Sequence, residues 1–276
     1  MSGSTAMGER VDAETVRELM FLRISVTAAA GFGFVPQDEV AEEMERDLAW
    51  ARRTGSLWLE ALLIQAMGTV QARRGDPRGG EKLIAQGMSM VVDLGMWLFA
   101  AGLVANWIWH VTDDPVTAEE RLRESYDTLR EAGERGVLGT VAASLGEALY
   151  QQGRYDEAEE MARVGEEAAA TDDIYLQVFW RAVLAKVLAR RGLLGEAEAL
   201  AHEAVALAYE SEYVDARSDA QLALAEVLRL AGRSGEAAEA VEKVRVLHEA
   251  KGNVLQVERA QTLLAELHSG VGSSSR

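Results

Sequence analysis

Cysteine is missing from all 276 residues. The chain therefore has no disulfide framework, no thiolate metal ligand and no thiol nucleophile, a composition that suits a reducing cytoplasm. Proline is scarce as well: Pro36, Pro77 and Pro115 are the only three, which leaves long stretches free to be helical. Aromatic residues make up 6% of the chain and apolar residues 49%. That apolar share is near the globular mean and excludes intrinsic disorder. Basic residues are in deficit, with 28 Lys and Arg against 45 Asp and Glu, a formal net charge of −17. Such a surface repels phosphate backbones and anionic lipid, so neither nucleic acid nor membrane is expected as a partner.

The first eight residues, MSGSTAMG, lack the basic and apolar regions of a signal peptide. Residues 1–10 are expected to be a disordered terminus, 11–268 a single repeat domain and 269–276 a disordered tail, in a cytoplasmic protein. One uncharged run, residues 94–111, is just long enough to cross a bilayer. It contains Asn106 and His110, has no flanking Lys/Arg cluster and keeps step with more polar segments. That favours a buried helix over a span.

What is present is a period. Turn signals recur at Gly55, Gly95, Gly136, Asp173, Glu212 and Gly252, spaced 40, 41, 37, 39 and 40. A second series at Pro36, Gly75, Asp113, Gly153, Gly192 and Gly232 is spaced 39, 38, 40, 39 and 40. Interleaved, they cut the chain into segments of about twenty residues. Glycine supplies helix C-caps, and Asp76-Pro77 and Asp114-Pro115 supply an N-cap followed by proline. Apolar residues within segments recur at 3, 4 and 7, as in Ala182, Ala185, Leu188 and Ala189. A small residue follows five positions after most inner turns (Ala41, Gly80, Ala118, Ala158, Ala197, Ala237), so each hairpin is expected to pack alike. The fold predicted is all-α: a right-handed α-α superhelix, a solenoid of about six helical hairpins of 38–40 residues plus a capping helix over about 253–268.

The second half resembles tetratricopeptide (TPR) repeats. Leu145-Gly146, Leu149, Gly153, Tyr155, Ala158 and Ala162 are similar to that family's leucine-glycine pair, inner-turn glycine, tyrosine and second-helix alanines. Gly192 with Glu196-Ala197 and Gly232 with Glu236-Ala237 continue the pattern. The period is longer than that family's, and no proline closes the second helices; helices longer by about a turn each resemble the extended repeats of MalT-like regulators. Phrases such as GERGVLGTVAASLGEALYQQGRYDEAE and SDAQLALAEVLRLAGRSGEAAEA resemble the C-terminal repeat tail of actinobacterial adenylate/guanylate cyclase–AAA ATPase signalling proteins, and of LuxR-type regulators. The resemblance implies a sensing or partner-binding module and carries over no catalytic residue.

Motifs of catalysis are lacking. GDPRGGEK at residues 75–82 puts glutamate where a phosphate loop needs lysine. His202-Glu203 and His248-Glu249 are followed by Ala206 and Gly252, so neither completes a zinc helix. His110, His202, His248 and His268 fall in different helices without ligand spacing, and adjacent acidic pairs such as Glu119-Glu120 read as solvated faces. No enzymatic activity, metal or cofactor is expected.

Function is expected in the concave groove, lined by the first helix of each hairpin. Counting nine positions into each repeat gives Thr69, Trp107, Glu147, Lys186 and Glu226, and three or four later Arg73, His110, Tyr150, Gln151, Arg190 and Arg229. Trp107, His110, Tyr150, Lys186, Arg190, Glu226 and Arg229 are the binding candidates, for a protein or peptide segment. A regulatory domain controlling a cyclase, ATPase or LuxR-type regulator is the alternative. The third repeat, rich in Met and Trp (Met88, Met90, Met96, Trp97, Phe99, Trp107, Trp109), is either core or an apolar patch for a homodimer or a neighbouring domain.

Overall fold

The computed structural model describes residues 33–271, which form twelve helices joined by short turns, with no strand among the described residues. In chain order they are α1 (Gln37–Thr54), α2 (Leu57–Arg73), α3 (Pro77–Asp93), α4 (Trp97–Val111), α5 (Pro115–Glu131) and α6 (Leu138–Gln151). There follow α7 (Tyr155–Ala168), α8 (Ile174–Arg190), α9 (Leu194–Ala208), α10 (Val214–Leu230), α11 (Ser234–Lys251) and α12 (Val254–Val271). All twelve turn positions read from the sequence fall outside these helices. The expected first helix of the first hairpin, before Pro36, lies outside the described residues, as do residues 1–10 and 272–276 of the expected tails, while α12 runs three residues past the expected end at His268.

Local chemistry explains the breaks. Pro77 and Pro115 open α3 and α5 behind capping aspartates. Asp76 accepts from the Gly79 N–H at 2.9 Å, and Asp114 from the N–H groups of Val116 and Thr117, each at 3.2 Å. These bonds satisfy donors that a helix start leaves open. In the loop 132–137 the left-handed residue is Gly133 (φ +70°), not Gly136. The Glu134 carboxylate accepts from the N–H groups of Gly136 at 2.7 Å and Val137 at 3.1 Å, and so shapes the rest of that loop.

Neighbouring helices pack in sequence, and first helices also touch first helices: α2 on α4, α4 on α6, α6 on α8, α8 on α10. The two layers differ in burial. Outer α7 buries one stripe, Ala158, Met161, Ala162 and Gly165. Inner α8 buries ten residues from Leu176 to Ala189, because it has neighbours on most sides. The core is consequently a row of clusters, with Ile108, Leu122, Leu145 and Leu149 at the centre of one and Leu224, Val227, Val241 and Val244 in the next. Residues 97–111 of the apolar run form α4, and no described helix is long and apolar enough to cross a membrane. The third repeat divides: Trp107 is core, whereas Trp97 and Phe99 are exposed.

The small-residue slot is where hairpins close. Ala118, Ala158, Ala197 and Ala237 are fully buried there. At Gly80 an added Cβ would lie 2.4 Å from the Gly68 carbonyl oxygen. Gly80→Val is therefore expected to push α2 and α3 apart and lower stability by about 1–3 kcal/mol in thermal unfolding. Gly195→Ala, at a helical glycine with nothing within 4 Å, should instead raise it by about 0.5 kcal/mol. Equal melting of the two variants would contradict the close approach.

Candidate functional site

Helical spacing aligns the inner wall. Steps of four, three and four put Tyr175, Phe179, Ala182 and Lys186 on one face of α8, and Asp215, Ser218, Asp219 and Leu222 share a face of α10. α4 contributes Trp109 and His110, and α6 contributes Glu147 and Gln151. His248 of α11 and Gln256, Arg259 and Leu263 of α12 lie across from them. Together these helices surround a cavity of about 800 Å³ on the concave side.

The cavity exists because the superhelix returns on itself. α12 touches α2, and Val254 lies against Gly75. Arg73 of α2 donates to Asp215 of α10 at 2.6 Å and to His110 Nε2 at 3.1 Å. Arg259 of α12 donates to the Trp109 carbonyl at 2.6 Å and pairs with Asp113. The Lys251 ammonium donates to the Gly33 carbonyl, and its burial lowers it to about 8. Burial alone would raise the Asp215 carboxyl, but the Arg73 guanidinium overcomes it and the carboxyl sits below its usual range. An arginine donates only, so His110 Nε2 is an acceptor and the ring is neutral. Burial and then Arg73 hold His110 well below the ordinary histidine value.

Asp219, half-buried, and Glu266, exposed on α12, are the exceptions among the cavity's acids. Asp113, Glu147 and Asp215 are paired with Arg259, Lys186 and Arg73. Asp219 has no hydrogen-bond or ion-pair partner among the described residues. Burial, and next the charges of Asp215 and Glu147, push it up to about 8, with Lys186 opposing. Among the described residues no three His, Asp or Glu side chains are placed to hold a metal ion.

A second polar group runs from the cavity along α6, α8 and α10. Lys186 pairs with Glu147, and its ammonium lies 4.8 Å from the centroid of the Tyr150 ring. The Tyr150 hydroxyl donates to Glu226 at 2.7 Å and accepts from Arg190 Nε at 3.0 Å. Arg190 and Arg229 each reach Glu226 at 2.7 Å. Burial, then the Glu226 carboxylate, raises the Tyr150 phenol. Arg190 and Arg229 keep 33% and 43% of their side chains exposed, so donors remain available.

Six of the seven predicted residues thus fall in two connected places: His110 and Lys186 on the cavity wall, and Tyr150, Arg190, Glu226 and Arg229 in the ladder beside it. Trp107 is a correction. It is 3% exposed, packed in the core with the Arg121 guanidinium 5.5 Å from its ring. Each residue turns a helix by 100°, so a count two positions short on α4 selects the core side, and Trp109 faces the cavity instead. Glu119 is a second correction: Arg154, the residue before α7, grips both its oxygens at 2.7 Å and ties α5 to the start of α7, so it is no solvated acid. The sequence reading missed Tyr175, Asp215, Asp219, His248 and Arg259. Asp215 and Asp219 did carry a signal, two acids four apart in an inner helix otherwise rich in Ala and Leu.

The family model described as tetratricopeptide repeat matches residues 139–163, 180–203 and 219–243. These are the hairpins α6–α7, α8–α9 and α10–α11. The chain is a TPR-like helical repeat protein. Three solved structures are similar to these TPR-like repeats in fold. BtubC from P. vanneervenii aligns with a TM-score of 0.53 at 16% identity, covering 78% of this chain and 91% of that one. The apo form of the quorum sensor NprR from B. thuringiensis gives 0.56 at 14%, covering 95% and 71%. A Rap protein complexed with Competence and Sporulation Factor gives 0.53 at 12%, covering 92% and 74%. No curated protein matches the sequence.

Proposed function

We propose that this TPR-like protein is a non-catalytic binding module that takes a peptide or protein segment into its concave cavity. The observation that carries the reading is the cavity itself, about 800 Å³ and lined from α4, α6, α8, α10, α11 and α12. A space of that volume, with Trp109, Tyr175 and Phe179 among mostly polar lining residues, fits a segment that brings hydrogen-bonding groups of its own. The likeness in fold to a quorum sensor and to a Rap protein complexed with a factor agrees with it. Of the predicted residues, Lys186, Arg190 and Arg229 offer donors to main-chain carbonyls and carboxylates of a bound segment, while His110, Tyr150 and Glu226 position them.

Closure of the ring favours a regulatory version of this reading. A ligand in the cavity bridges α4 to α12, beside the contacts by which the superhelix returns on itself, so it binds the closed form better than an opened one and shifts the population between them. A cyclase, an ATPase or a LuxR-type regulator is the kind of output such a sensor would control.

A random heptapeptide library selected on the full chain tests the proposal. Enrichment of a limited set of sequences is expected. Lys186→Gln with Arg190→Gln should weaken those peptides at least tenfold, about 1.4 kcal/mol, with helicity unchanged. No enrichment rejects the peptide reading, and equal binding by the variant moves the contact elsewhere.

A further inference from the structure

Two further observations concern the cavity wall. His110 and His248 are 8% and 1% exposed, and both line the cavity. Each has one nitrogen engaged by a donor: His110 Nε2 by Arg73 at 3.1 Å, and His248 Nδ1 by the Asn253 amide at 3.4 Å. The Asn253 oxygen accepts from the Gln256 N–H, which identifies the other amide atom as nitrogen. Both rings are therefore neutral, with their protons on His110 Nδ1 and His248 Nε2. These two nitrogens are buried and have no hydrogen-bond partner among the described residues. Buried donors without acceptors are costly. In the same cavity stands Asp219, an acceptor without a donor among the described residues. Tyr175 and Phe179, with ring centroids 5.8 Å apart, line the wall next to it.

We infer that the cavity receives a cationic group, an ammonium or guanidinium, against Asp219, with a carbonyl beside that group facing His110 and His248. The reading rests on the peptide-binding proposal and deepens it: the favoured segment carries a Lys or Arg side chain. The chemistry is complementary on each count. A carboxylate gives a desolvated cation its counter-charge and hydrogen-bond acceptors. Aromatic walls add attraction to a cation. Glu147 and Asp215 strengthen the negative field, while Lys186, held by Glu147, opposes it without filling the site. Arrival of a cation also stabilises the ionised form of Asp219, which burial otherwise disfavours.

The test compares N-acetyl-argininamide and N-acetyl-lysinamide with N-acetyl-norleucinamide by thermal shift on the full chain. Asp219→Asn serves as the control, because it preserves shape and a hydrogen-bonding group. The two basic amides are expected to raise the melting temperature of the wild type at millimolar concentration, and the neutral one is not. Asp219→Asn should weaken the basic amides at least tenfold. Equal shifts for basic and neutral amides, or undiminished shifts in Asp219→Asn, overturn the inference; the latter result would mean general attraction to a surface of charge −17. The heptapeptide selection separates the two ideas. Enriched peptides with no basic preference reject the Asp219 site alone. Basic amides that bind where no heptapeptide does reject the peptide reading and leave the cation site standing.

Discussion

Replacing Arg73 with methionine is expected to open the superhelix and lower its stability by about 3–5 kcal/mol. Arg73 is 3% exposed and donates at 2.6 Å to Asp215, which is 17% exposed. Methionine fills much of the same volume but leaves a buried carboxylate without its main counter-charge. Removing one partner of a buried pair costs far more than removing both. Arg73→Met with Asp215→Leu should therefore recover most of the loss, and a double-mutant cycle from thermal unfolding reads the coupling directly. The single variant should also show a larger radius of gyration in solution scattering, since the pair joins residues 142 apart in sequence. A single variant that melts within about 1 kcal/mol of the wild type would show that closure rests on other contacts.

Stability should fall by roughly 2 kcal/mol between pH 6.5 and 8, and Asp219→Asn should abolish that fall. The folded chain keeps the Asp219 proton up to about pH 8, whereas the unfolded chain releases it near 3.8. Between those values the native state binds one proton more, so each rise in pH favours unfolding. The buried histidines act in the opposite sense. Burial lowers His248 to about 4, against an ordinary value of 6.5, and it also holds His110 well below that ordinary value. Their contribution to stability is lost as pH falls below 6.5 and is constant above it. Asp219 alone then sets the slope up to 8, where Lys251 begins to add stability as the unfolded chain alone keeps its proton. Chemical denaturation at half-unit intervals checks this. A flat wild-type profile, or an Asp219→Asn profile parallel to it, would remove Asp219 as the cause. A half-buried carboxyl whose ionisation weakens the fold suits a site completed by a cation.

Much of the ladder was legible from residue counting, because α6, α8 and α10 keep a regular spacing of about 39 residues and carry Tyr150, Lys186, Arg190, Glu226 and Arg229 in equivalent places. Counting failed on α4, where an error of two positions turns the chosen side chain to the other face. Trp107 went to the core for that reason. The pairing of the ladder residues with one another was not legible. Periodicity places side chains on a face but does not say whether they meet across helices.

Turn chemistry and apolar spacing by themselves determined the helices, their breaks and their order of stacking, since these depend on residues within about forty positions of each other. Closure of the ring was decided only in three dimensions. Arg73 meets Asp215 across 142 positions, and Arg259 meets the Trp109 carbonyl across 150. Such meetings depend on small rotations between successive hairpins, summed around the superhelix. No single repeat encodes that sum, so the cavity and its unpaired carboxyl belong to the assembled fold.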